Sequence, residues 1–160
     1  VLFGVIGAIR GWAKELLVGL SVILALFIIA VLENYVDFVM TFIQNGGPAT
    51  EFWFRALIIL ALAFFGYQTP NLPQLREAAR RERLQDSLLG IVLGGVNGAL
   101  IFGSIWAFLH NTGYPFEAVS APTDPAALSL VAMMVPMWLG IPAIFFVVAV
   151  VFTFVVIVFI

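Results

Sequence analysis

The chain has 160 residues, 63% of them apolar and 10% charged, with a formal net charge of −2 and a mean hydropathy of +1.14. Soluble domains carry roughly 25% charged residues, so this chain cannot cover a water-facing surface, and lipid must be the solvent for most of it. The absence of cysteine excludes disulfides, thiol catalysis and zinc–thiolate sites, and the small net charge gives no basis for a nucleic-acid partner.

The expected fold is all-α: one polytopic transmembrane helical bundle over 1–160. A spanning helix needs about 20 apolar residues, and five candidate segments appear in chain order. Val1–Ile9 reads as the end of a span that begins upstream. Leu16–Leu32 follows, with Lys14, Glu15 and Glu33 marking its ends. Phe52–Tyr67 opens on an aromatic cluster, Leu88–Leu109 is glycine-rich, and the last run extends to Ile160. That run is too long for one upright span, and Pro136 and Pro142 interrupt its first half. It reads as a short interfacial or re-entrant piece, 126–139, and then a span from Ile141. Between the second and third spans, Val36, Val39, Met40 and Ile43 keep helical spacing, so a helix is expected to run on until Gly46-Gly47-Pro48 ends it.

The basic residues set the topology. Arg10 and Lys14 lie between the first two spans, and Arg76, Arg80, Arg81 and Arg83 between the third and fourth. These loops share a side, which the positive-inside rule places in the cytoplasm. The N-terminus is then outside and the C-terminus inside. Arg55, one turn inside its span, is expected to snorkel to headgroups. The Arg76–Arg83 run could touch anionic lipid or a partner, although a role in setting topology accounts for it.

Helix association in lipid relies on close backbone packing. Gly90, Gly94 and Gly98 recur every four residues on one face of the fourth span, and Gly95 and Gly103 are expected to widen that groove. Gly4, Gly7, Ala8 and Gly11 give the first span a shorter version. These two spans are predicted to be central, packing in the same chain, a second copy or another subunit.

Candidate chemistry is sparse. Asn97, mid-span, is expected to hydrogen-bond a neighbouring helix rather than line a polar path. His110 is the only histidine; ligation of a metal, haem or chlorin is the weaker reading beside that of an interface residue. Glu33 and Asp37 read as a solvated helix end. With almost no ionisable group read inside a span, and no Asp, Glu or His along a path, a proton pump is disfavoured. No cofactor, metal site or catalytic constellation is expected, so the chain reads as a non-enzyme.

Two segments carry a resemblance. Gly7-Ala8-Ile9-Arg10-Gly11-Trp12-Ala13-Lys14-Glu15-Leu16, and Asp86-Ser87-Leu88-Leu89-Gly90 with Gly94 and Gly98, resemble signatures of the colicin V production protein (CvpA) family of bacterial inner-membrane proteins. Ser87 stands where the family often has a basic residue, and Asn97 where Arg commonly precedes the late Gly. The family is usually described with four spans. The resemblance implies a bacterial cytoplasmic-membrane protein linked to colicin V production and envelope homeostasis, with no established catalytic residues. Two other readings stand beside it: an accessory subunit of a respiratory or photosynthetic complex, and an oligomeric channel or transporter. The partners expected are the lipid bilayer, other membrane subunits or further copies of the chain.

Overall fold

The computed structural model describes residues 1–68 and 83–159, and every element among them is a helix. In chain order these are α1 (Leu2–Arg10), α2 (Trp12–Tyr35), α3 (Asp37–Tyr67), α4 (Arg83–Asn111), α5 (Pro125–Ala132), α6 (Val135–Trp138) and α7 (Ala143–Phe159). Three helices are long and apolar enough to cross a membrane: α2, α3 and the 84–111 part of α4. At about 1.5 Å per residue, the 24 residues of α2 exceed the roughly 30 Å of hydrocarbon. The expected spans 16–32, 52–67 and 88–109 fall inside these three. At either end of the chain the helices are shorter: α1 has 9 residues and α7 has 17.

The core follows from side-chain spacing. Val18, Val22, Ala25 and Ile29 form one buried stripe on α2, and Phe52, Ala56, Ile59, Ala63 and Gly66 form another on α3. Both advance by alternating steps of three and four, the repeat of one helical face. The stripes pack antiparallel. A Cβ on Gly66 would lie 3.2 Å from the Val18 Cα, while at the other end Arg55 reaches Glu33. Ile101 and Phe108 of α4 and Ile144 of α7 complete the core. Large apolar side chains such as Leu57, Phe64, Phe65, Leu88, Val92 and Phe102 stay exposed on the outside, a distribution that suits lipid and not water.

Two backbone breaks shape the bundle. Gly11 takes φ 84°, ψ 159° between α1 and α2, a left-sided conformation open to glycine without strain. It lets α1 fold back along α4 in antiparallel fashion, with Phe3 beside Gly94 and Gly98, Gly7 beside Gly90, and the Ser87 hydroxyl donating to the Ala8 carbonyl at 3.2 Å. The second break is Gly47, at φ 73°, ψ −175° within α3. It separates a short arm, 37–46, from the spanning part, 48–67. Helix α2 therefore does not run on as far as Gly46-Gly47-Pro48, where it was expected to end. It stops at Tyr35, Val36 is extended (φ −116°, ψ 99°), and the arm is a separate helix.

The Asn111–Pro125 connection lays Phe116 on Phe52, with ring centroids 5.2 Å apart. Beyond it, Asp124 caps α5 by accepting from the Ala126 amide. Where one short piece was expected over 126–139, there are two short helices, α5 and α6. Helix α7 touches the bundle at its start, where Ile144 is buried and Phe145 stacks edge-on against Phe27 at 5.3 Å. Further on, Phe146, Val150, Phe152, Phe154 and Ile157 are exposed.

A buried charge junction as candidate functional site

Four helices meet at Glu15. Its side chain is fully buried, although beside Lys14 it looked like a charge marking a span end. It sits three residues before Val18, on the inward stripe of α2. Both carboxylate oxygens are engaged. Oε1 accepts from Arg10 Nε of α1 at 2.8 Å, and Oε2 accepts from Asn97 Nδ2 of α4 at 2.9 Å. The same Asn97 amide donates to the Glu15 backbone carbonyl at 2.8 Å. Asn97 thus makes the helix-to-helix hydrogen bond its sequence position suggested, to a partner the sequence did not reveal. Gly19 leaves space for it: a Cβ there would stand 3.0 Å from Asn97 Oδ1.

Arg10 ties in α3. Its Nη1 donates to the Tyr67 carbonyl at 2.9 Å, and its guanidinium carbon lies 4.9 Å from the centre of the Tyr67 ring. The last carbonyls of a helix lack intrahelical donors and carry partial negative charge, so a cation there is favoured. Moving a lone carboxylate out of water costs several kcal/mol, and only pairing plus hydrogen bonding offsets this. The Arg10–Asn97 clasp meets that requirement for Glu15. One buried polar atom of the junction, Arg10 Nη2, has no hydrogen-bond partner among the described residues, and neither does Ser104 Oγ elsewhere on α4.

The glycines stand around this junction. A Cβ on Gly7 would run into the Gly90 carbonyl, one on Gly90 into the Gly7 carbonyl, and one on Gly94 into the Phe3 carbonyl. Gly98 faces the Phe3 ring, at 2.9 Å from the built Cβ. Gly4 is looser, with its nearest neighbour, Ile91, at 3.5 Å. Among the described residues, a Cβ on Gly95 would have nothing within 4 Å, and Gly103 faces Met134 ahead of α6 instead of α1. Neither widens the α1 groove. The close-packing face of α4 is occupied by α1 of the same chain.

Asp86 closes the lower edge. Its carboxylate accepts from the Trp12 backbone N–H at 3.1 Å and lies against Gly11, so a residue in the first turn of α4 caps α2. Losing such a cap costs about 1 kcal/mol. Asp86→Ala is expected to lower unfolding stability by about that amount in mixed-micelle titration, whereas Asp86→Asn, which retains an acceptor, changes it by a few tenths.

At the opposite end Arg55 does not snorkel freely. It donates to both Glu33 oxygens, at 2.6 and 2.9 Å, and reaches Glu51 at 2.7 Å. Its guanidinium lies 5.9 Å from the Phe108 ring centre. Glu33, read as a solvated helix end, is therefore half of a bidentate pair. His110 contacts Tyr114, with Nδ1 3.4 Å from its hydroxyl. Among the described residues there is no group of three His, Asp or Glu placed to hold a metal. Arg76, Arg80 and Arg81 lie outside the described residues, and Arg83 opens α4.

Sequence reasoning missed Glu15 and Arg10 as partners. The available signal was the stripe Glu15, Val18, Val22, Ala25, Ile29, which puts Glu15 on the packed face. Compared with known proteins, the chain matches no protein-family model, no curated protein and no solved structure.

Proposed function

We propose that this chain is a non-enzymatic, CvpA-like integral membrane protein that acts through helix–helix assembly in the bacterial cytoplasmic membrane, in colicin V production or envelope homeostasis. One observation carries the reading: the two segments that resemble the family lie against each other. Gly7 meets Gly90 and Gly94, Ala8 meets Ser87, and Gly11 and Trp12 meet Asp86. Residues remote in sequence that share one contact make sense as a single structural signature. In this reading α1 and α7 belong to the first and last of five membrane segments. The end carrying Arg10, Lys14 and Arg83 faces the cytoplasm under the positive-inside rule, which puts the N-terminus outside and the C-terminus inside.

Because α1 already covers the glycine face of α4, contacts with other subunits fall on the remaining lipid-facing surface, including the exposed side of α7. The test is purification in mild detergent at native expression level, with native mass and peptide identification. A particle with fixed, different membrane subunits supports an assembly role. A particle of this chain alone that conducts ions or solutes in liposomes contradicts it.

A second reading, a channel or transporter, gains from Glu15. The sequence suggested that no Asp, Glu or His is buried along a path through the spans, and Glu15 is a fully buried carboxylate in α2. Flux above empty vesicles that is lost in Glu15→Gln supports this reading, and equal flux in both counts against it.

A further inference from the structure

The arm 37–46 has two unlike faces. Met40, Ile43 and Gln44 turn toward the Glu33–Arg55–Glu51 cluster and line, with it, a cavity of about 250 Å³. Phe38, Thr41, Phe42 and Asn45 turn the other way and line an open, mostly apolar groove of about 400 Å³. Phe38 is 78% exposed and Phe42 50%, one helical turn apart on the same side. Two further aromatics are exposed nearby in the chain: Tyr35, at the end of α2, and Trp53, in the first turns after Pro48. Trp and Tyr rings gather where spanning helices leave the hydrocarbon, because an apolar body with a polar edge suits that boundary, and Phe on the apolar face of an interfacial helix sinks into it.

We propose that the arm is a membrane-interface helix whose Phe38–Phe42 face lies in the outer headgroup–acyl boundary, with phospholipid filling the groove. This rests on the reading of the chain as an integral membrane protein. Two features favour lipid over a protein partner. On either side of the arm in the chain stand Tyr35 and Trp53, both exposed and of the residue types that mark this boundary. Its breaks at Val36 and Gly47 free it from the axes of both spanning helices, as a helix lying along a surface requires. The arm contains no Lys or Arg, so its attachment comes from burial of rings and not from anionic headgroups.

The chain has no native cysteine, so single substitutions can be labelled without background. Phe38→Cys, Phe42→Cys, Gln44→Cys and Leu57→Cys would each carry a nitroxide in vesicles of phosphatidylcholine and phosphatidylglycerol at three to one. Collision with oxygen, which partitions into lipid, is compared with collision with a water-soluble nickel chelate. The expected oxygen-to-nickel ratio at 38 and 42 is several-fold above that at 44 and below that at 57, deep in the span. Labels at 38 and 42 that read as water while 57 reads as lipid overturn the arm's placement alone. Labels shielded from both agents overturn lipid in favour of a protein partner. A Leu57 label in water overturns the membrane reading itself.

Discussion

Replacing Arg10 with Met is expected to destabilise the folded chain by about 3–5 kcal/mol, the usual cost of breaking a buried ion pair by removing one partner. The reason is geometric. Glu15 is fully buried, and Arg10 supplies the countercharge on one of its oxygens. Without Arg10, the carboxylate keeps the Asn97 amide but loses its countercharge, and the Tyr67 carbonyl loses the guanidinium donor. The reciprocal change is milder. The Arg10 side chain is 21% exposed and can swing its charge toward headgroups, so Glu15→Met is expected to cost about half as much, with the lower limit set by burial of an orphaned polar group at about 1–3 kcal/mol. The double substitution Arg10→Met, Glu15→Met removes both charges and is expected to recover most of the loss, as replacement of whole buried pairs by apolar residues does elsewhere. Unfolding by SDS titration in mixed micelles, followed by Trp fluorescence, measures all four proteins. If the double variant is as unstable as Arg10→Met alone, the two residues do not act as a pair.

The second large effect concerns the α1–α4 contact. At Gly7, Gly90 and Gly94 a methyl group would land on a backbone carbonyl of the facing helix. Backbone cannot rotate away as a side chain can. Each Ala substitution is therefore expected at or above the top of the usual overpacking range, about 3 kcal/mol. Gly98→Ala meets a phenyl ring and is expected to cost less. Gly4→Ala meets ordinary contact, and Gly95→Ala meets nothing within 4 Å; both are expected to be neutral or slightly stabilising, since Ala favours a helix over Gly by about 1 kcal/mol. The ordering Gly7, Gly90 and Gly94, then Gly98, then Gly4 and Gly95 is more telling than any single value. A uniform response across the six positions would show that helix propensity, and not close approach, governs them.

Much of this architecture is legible in the sequence, and the misses have physical causes. Long apolar runs identify α2, the spanning part of α3 and α4, because lipid leaves little choice for such segments. The four-residue glycine repeat identifies the packed face of α4, since small residues at that spacing create a groove. The sequence does not say which charges at a helix end turn inward. Lys14 and Glu15 are neighbours, yet about 100° of helical rotation separates them, and only the stripe through Val18 and Ile29 distinguishes them. Nor can it pair Glu33 with Arg55, because that contact depends on the antiparallel register of α2 against α3. The arm 37–46 was misread for a related reason. Its helical spacing is clear, but the break at Val36 has no glycine or proline to announce it.

One contact organises the bundle: α1 folded along α4 of its own chain, delivering Arg10 to Glu15. Gly4 and Ile91 face each other there, with a Gly4 Cβ 3.5 Å from the Ile91 methyl. Oxidation of the Gly4→Cys, Ile91→Cys protein in native membranes, read by mobility on denaturing gels without reductant, tests it directly. The predicted result is rapid, near-complete bridging within the monomer, reversed by reductant. A product found only as crosslinked dimers, or no bridge at all, would contradict the account, because α1 would then not lie against α4 of the same chain.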